Sequence, residues 1–292
     1  MPSFFPDEGL RALTREDADY PARLRDLHDA PGVVYVRGRL LAAHPPAVAI
    51  VGTRNATPYG LRMARALATT CARAGVTVVS GLARGIDAAA HEAALVADGR
   101  TVGVLGTGPD VYYPRSHRTL QERIASEGML LSELPAGSTG HPGAFPRRNR
   151  LIAALADVTV VVEAPRESGA LITARVAEAL GRDVAVVPNA IDVPQAAGSN
   201  ALLRDQAHPL LDPDDVLRLL GRETAPPQLP ALDGDAARCW DALQQGADEP
   251  AAIAAHTGLT FTAVQGALAL LEIDGLVSWD LGGRVRAWSA TG

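Results

Sequence analysis

The stretch AVAIVGTRNATPYGLRMARALATTCARAG (47–75) decides the fold. AVAIV (47–51) is apolar without polar alternation, the pattern of a strand covered on both faces. GTRNATPYG (52–60) holds a glycine at each end and a proline, and reads as a loop. LRMARALATTCARA (61–74) has helical periodicity and stops at Gly75, as helices often do. Strand, loop and helix in that order form the repeating unit of an α/β sheet.

The unit recurs. Further apolar runs are VTVVS (76–80), TVGVL (101–105), MLLS (129–132), VTVVV (158–162) and VAVVP (184–188). Helical stretches such as DAAAHEAALVA (87–97) and LITARVAEAL (171–180) lie between them, with Gly99 and Gly181 just beyond. The expected fold class is therefore α/β, a doubly wound and mostly parallel sheet over residues 45–220. Residues 1–44 are an entry segment, with a short helix expected within 20–29 and a strand at VVYV (33–36). GRETAPPQLPAL (221–232) holds three prolines and no periodicity, and reads as a linker. Residues 233–292 form a small second domain. Helices are expected at 236–245, 250–259 and 261–274, then a hairpin over 277–289 turning at Gly282-Gly283. Three helices and a hairpin predict a winged helix.

Composition narrows the chemistry. The chain of 292 residues has a net charge of −6, which excludes a protein coated for nucleic acid but not a local basic site. All 27 basic residues are arginine, so a lysine-dependent phosphate loop or Schiff base is impossible. Cys71 and Cys239 are isolated, which predicts neither a disulfide framework nor a zinc site and fits a reduced, cytoplasmic setting. The seven histidines are scattered, and no G-x-S-x-G elbow occurs, so no metal, catalytic or cofactor residue is expected. No signal peptide or membrane-length apolar run is read.

In an open parallel sheet, ligands bind beyond the carboxyl ends of the strands. Those ends carry GTRNATPYG, GLARGID (81–87), GTGPDVYYP (106–114) and EAPRESGALITA (163–174). Such loops before helices present backbone N–H groups to anions. Gly106, Gly108, Ser168 and Gly169 are candidates on that ground, and Arg54 and Arg84 add forks suited to phosphate. The stretch GAFPRRNRLIAAL (143–155) is more pointed. Arg147, Arg148 and Arg150 crowd beside Phe145 and Asn149, and the nearest acid in sequence is Asp157. An aromatic ring beside cations can stack a base while the cations hold phosphates. The competing reading buries Phe145 and leaves Arg147 in solvent, with Asn149 and Arg150 bracing the helix start.

VAIVGTRNATPYG, SGLARGIDAAAHEAAL, VGVLGTGPDVYYP, LLSELPAG, FPRRNRLIAAL, VVVEAPRESGALITARVAEALGRDVAVVP and GSNALL occur in this order. Over roughly residues 20–215 the chain thereby resembles the DNA-processing protein A family (DprA, also called Smf). The resemblance implies a Rossmann-like homodimer that binds single-stranded DNA in natural transformation and loads the RecA recombinase, without catalysis or cofactor. It also implies that Arg54, the loop from Ser80 and Gly81 through Arg84 and Gly85, and Phe145 to Arg150 face the strand. Many members carry an N-terminal domain of the sterile-alpha-motif type, for which residues 1–44 are too short. Asn189, His117 and Gln206 stand where the family usually has glycine, asparagine and glycine; asparagine can also take a left-handed turn, so the backbone at Asn189 can be kept.

Over 231–292 there are three arginines against eight acids, a net charge of −5, and helix 261–274 has no basic residue. That is a poor duplex reader, and points to a protein contact or to regulation of the basic site. The alternative from another class is a small-nucleotide sensor or nucleotide-cleaving enzyme on the same sheet. Its P-G-G-x-G-T-x-x-E signature is absent, and Glu163 and Glu167 are the acids in these loops. Dimer contacts are expected around 171–180 and 213–220.

Overall fold

A computed structural model describes residues 9–40, 45–222, 232–273, 276–280 and 282–287. Most of the expected linker, 223–231, lies outside the described residues. Two compact units are present, within Met1–Thr224 and within Ala225–Gly292. Each is described by itself.

The first unit runs β1 (Leu10–Thr14), β2 (Val33–Gly38), β3 (Ala47–Val51), α1 (Pro58–Arg73), β4 (Thr77–Ser80), α2 (Ile86–Val96), β5 (Thr101–Leu105), α3 (Arg118–Glu127) and β6 (Met129–Ser132). It continues with α4 (Ala144–Leu155), β7 (Val158–Val161), α5 (Gly169–Ala179), β8 (Asp183–Val186), α6 (Ser199–Leu202), β9 (His208–Pro209) and α7 (Asp215–Leu219). One sheet holds the strands in the order β1-β2-β6-β5-β4-β3-β7-β8-β9. The pairs from β6 to β9 are parallel, whereas β1–β2 and β2–β6 are antiparallel.

Pleating divides the core. Ala47, Ala49 and Val51 of β3 face α4 and α5, whereas Val48 and Ile50 face α1 and α2. Both layers are buried, which is why these strands lack polar alternation. The entry segment differs from its sequence reading. It is not separate: β1 and β2 extend the same sheet, and the expected 20–29 helix is a single 3₁₀ turn over Ala22–Asp26. Asn189 does not take a left-handed turn, but Gln206 does, at φ 69°. Instead, the Asn189 amide donates to Glu163 and its carbonyl oxygen accepts from Ala190 N–H.

Two contacts, one half-buried and one buried, fix the helices that matter below. Arg182 donates to the carbonyls of Ala153, Ala154 and Ala156 and pairs with Asp26 at 2.8 Å. These carbonyls end α4, where intrahelical partners run out. His91 of α2 lies fully buried against β5. Its Nδ1 is 2.7 Å from Thr101 Oγ1, which itself donates to the Val78 carbonyl. Thr101 must therefore accept from His91, so the ring proton sits on Nδ1. Burial, reinforced by the charge of Arg148, holds the His91 pKa down at about 3.

The second unit has α8 (Gly234–Gln244), α9 (Pro250–Thr257), α10 (Phe261–Ile273) and the antiparallel pair β10 (Val277–Trp279) and β11 (Val285–Ala287). Cys239, Leu243, Ile253, Val264, Leu268 and Leu271 form its core. All three of its arginines are in ion pairs: Arg238 with Asp235, Arg284 with Asp248 and Glu249, Arg286 with Asp280. No single helix among the described residues is long and apolar enough to cross a membrane.

Two outcomes are expected. Arg182→Met should lower unfolding free energy by about 1–3 kcal/mol in urea titration, because the carbonyls of Ala154 and Ala156 lose the Arg182 donor. His91 is neutral when folded and has an ordinary pKa near 6.5 when unfolded. Its contribution is complete above about pH 6.5 and lost as pH falls toward 3, at up to about 1.4 kcal/mol per unit. His91→Gln should flatten the stability–pH curve in that window.

Candidate functional site

The chain leaves β3 for β4 on one side, while β7 pairs on the other. Strand order reverses at that point, and a crevice must open beyond the carboxyl ends of β3 and β7. A cavity of about 760 Å³ occupies it. Its walls come from Gly52–Arg54 after β3, from the Phe145–Ile152 face of α4, from the start of α5 and from the Thr139–Pro142 loop.

The arginine-rich stretch belongs to α4 itself, not to a loop before it. Helical spacing therefore sends its residues to different faces. Phe145, Arg148, Asn149 and Ile152 are spaced i, i+3, i+4 and i+7, and all four line the cavity. Arg147 and Arg150, also three apart, turn to Glu133. Arg150 meets it at 2.5 Å and Asp29 at 3.0 Å, while Arg147 is more exposed and 3.8 Å from it. Among the described residues, no acid close in sequence pairs with Arg147 or Arg150. The partners come from the 133 and 29 segments, distant in sequence and brought close by the sheet.

Arg148 is 6% exposed. Its guanidinium donates to Gly81 O at 2.7 Å and to Val104 O, and its Nε to Asn149 Oδ1 at 3.2 Å. The loop after β4, the end of β5 and α4 are thereby tied at one point. Asp87 in the first turn of α2 accepts from the N–H groups of Gly81 and Ala83 at 3.1 and 3.3 Å. Burial raises its carboxyl pKa, and Arg148 and the two N–H groups oppose that rise. Burial lowers Arg148 to about 10, with Asp87 opposing, so the guanidinium stays charged at neutral pH.

The other candidates divide. Arg54 and Arg84 are exposed and form no ion pair among the described residues. Ser80 is fully buried and donates to Ile50 O at 2.6 Å, so its hydroxyl joins β4 to β3 and faces no ligand. Gly81, Gly106 and Gly108 are buried as well. They serve by lacking a side chain: a Cβ on Gly106 would stand 2.7 Å from the Phe145 ring, and one on Gly81 2.6 Å from the Arg148 guanidinium. Gly85, at φ 79°, lets its loop lie on the Thr53–Arg54 backbone. Ser168 caps α5, accepting from Ala170 N–H, and lines the cavity with Gly169.

Among the lining residues not singled out from the sequence are the Thr139–Pro142 loop, Tyr113, Asp87 as part of the floor, and Thr173. Thr173 is buried, and its hydroxyl has no hydrogen-bond partner among the described residues. Asp87 had a signal, its place one turn into a helix after a glycine loop; Thr173 had none. No metal-ligand cluster occurs among the described residues. Burial pushes the Cys71 thiol up to about 12, which makes it inert. Glu163 does not line the cavity. It is buried, accepting from Thr57 N–H at 2.9 Å, Thr57 Oγ1 at 2.5 Å and Asn189 Nδ2 at 2.9 Å.

Known proteins share this architecture. The family model for DNA recombination-mediator protein A matches residues 11–221, and that for the DprA winged helix domain matches 223–283. Protein Smf of Synechocystis is 46% identical over 213 residues, which are 72% of this chain and 54% of that protein. The chain thus spans about half that relative's length. A putative DNA processing protein DprA of Mycobacterium tuberculosis is 41% identical, over 92% of this chain and 75% of that protein. The X-ray structure of DprA from Streptococcus pneumoniae has a TM-score of 0.69 at 36% identity, covering 72% of this chain and 74% of that one. DNA processing protein A from Helicobacter pylori, a structure described for its single-stranded DNA binding mode, has a TM-score of 0.65 at 33% identity, covering 72% and 95%. With both units matched and the relatives this similar, the chain belongs to the DNA recombination-mediator protein A family, DprA/Smf.

Proposed function

We propose that this chain binds single-stranded DNA at the strand-end cavity and does no chemistry on it. The observation that carries the reading is the pairing of Phe145 on the cavity wall with two exposed arginines on the adjoining loops, Arg54 and Arg84, which have no ion pair among the described residues. A splayed base stacks on Phe145 and enters the cavity, which has apolar walls at Val51 and Ile152 and the free Thr173 hydroxyl. Phosphates run along Arg54 and Arg84, with the N–H groups at the start of α5 adding positive potential. Arg148 holds α4 and Phe145 in place, its hydrogen bonds staying on the protein and its charge opposed by Asp87. Arg147 and Arg150 add less, because Glu133 and Asp29 offset them.

We infer, from the resemblance to the family, a setting in the cytoplasm during natural transformation, with the chain acting as a homodimer that loads the RecA recombinase onto the bound strand; membership of the family supports the DNA-processing part of that reading. The acidic second unit does not read duplex DNA in this scheme, because its arginines are already spent in ion pairs. The rival reading, a nucleotide-cleaving enzyme, loses its best acid, since Glu163 is saturated by Thr57 and Asn189 away from the cavity.

Oligo-dT titrations at several salt concentrations test the proposal. Phe145→Ala should weaken binding by about 5–150-fold, the equivalent of roughly 1–3 kcal/mol. Arg54→Ser should lower the salt slope by about 0.7, one phosphate's worth. Folded variants with wild-type affinity and slope would remove this cavity from the binding site. Mononucleotides should give no base release and a smaller thermal shift than the oligonucleotide.

A further inference from the structure

We propose that Tyr113 is a second stacking surface, and that a bound single strand leaves the cavity across its ring toward Arg84 and Arg115. The inference rests on the single-strand reading above and specifies the route.

The two adjacent tyrosines are used differently. The Tyr112 hydroxyl donates to Glu122, which Arg37 of β2 also holds, and Arg118 lies 5.1 Å over the Tyr112 ring. Tyr112 is thus committed to packing α3 on the sheet. Tyr113 faces the cavity mouth and is 47% exposed. Its hydroxyl has no hydrogen bond among the described residues. Its ring centroid lies 4.8 Å from that of Phe145, with the planes tilted by 36°. A half-exposed aromatic pair at a cavity mouth leaves π surface for successive bases, as in other single-strand sites.

The flanking charges give the direction. After Tyr113 the chain makes one 3₁₀ turn, Arg115–His117, before α3 begins. His117 Nδ1 lies 3.1 Å from Leu82 O, so this turn abuts the loop that carries Arg84. Gly85, next to Arg84, lies against the Thr53–Arg54 backbone. Arg54, Arg84 and Arg115 therefore sit on three loops joined in series, all exposed and without ion pairs among the described residues. The loop before α5 offers a poorer route, because Glu167 stands beside Arg166 there. Phosphates follow the arginines, and the bases turn inward onto Phe145 and then Tyr113.

Photocrosslinking of the wild-type chain to oligo-dT carrying 5-iodouracil reads the contact directly. Tyr113 should be modified together with Phe145. In titrations with about 20 nucleotides, Tyr113→Ala should weaken binding about 5–100-fold, and Tyr113→Phe should stay within about twofold. Arg115→Ser should lower the salt slope with the long oligonucleotide but not with one of about four nucleotides. Crosslinks at Phe145 without Tyr113, or an unchanged slope in Arg115→Ser, would overturn the route while leaving the cavity assignment intact. Loss of crosslinking at both rings would overturn both.

Discussion

The site depends on one buried cation. Arg148 joins the end of β5, the loop after β4 and the second turn of α4, and it faces Asp87 on α2. An unpaired charge of that kind in a protein interior is strongly unfavourable, so the folded state must supply carbonyl acceptors and an opposing carboxylate. Because they are, α4 is fixed against the strand ends. Phe145, one turn earlier on the same face, is held where Gly106 makes room for it. Arg182 secures the other end of the helix.

This arrangement lets an acidic molecule present a basic cavity. Charge that is internally offset contributes little to an external field. Arg147 and Arg150 are offset by Glu133, and the arginines of the second unit by their own acids. Arg54 and Arg84 have no such partner among the described residues, whereas the charge of Arg148 is opposed by Asp87. The result is local positive potential at a topological switch point, beside an aromatic ring.

The central strands and helices could be read from the sequence because burial on both faces leaves an unbroken apolar signature, as in AVAIV and VTVVV. β1 could not, because LRALT is an edge strand with only Leu13 fully buried, and its polar residues resemble a loop. The cavity could be placed by strand order and glycine loops. The directions of its side chains could not. Ser80 looked like a ligand contact, yet pleating turns its hydroxyl inward to Ile50. Arg150 looked free, yet the sheet carries Glu133 and Asp29 to it. Gln206 adopts a left-handed φ, at the position where the family usually has glycine. For Ser80 and Arg150 the deciding contact is tertiary.

The most direct measurement is a crystal structure of the full chain with bound oligo-dT. The account predicts a strand in the switch-point cavity, a base against Phe145, phosphates on Arg54 and Arg84, and Arg148 still donating to Gly81 and Val104. A strand bound on another face, or Arg148 swung out onto a phosphate with its carbonyls abandoned, would contradict it.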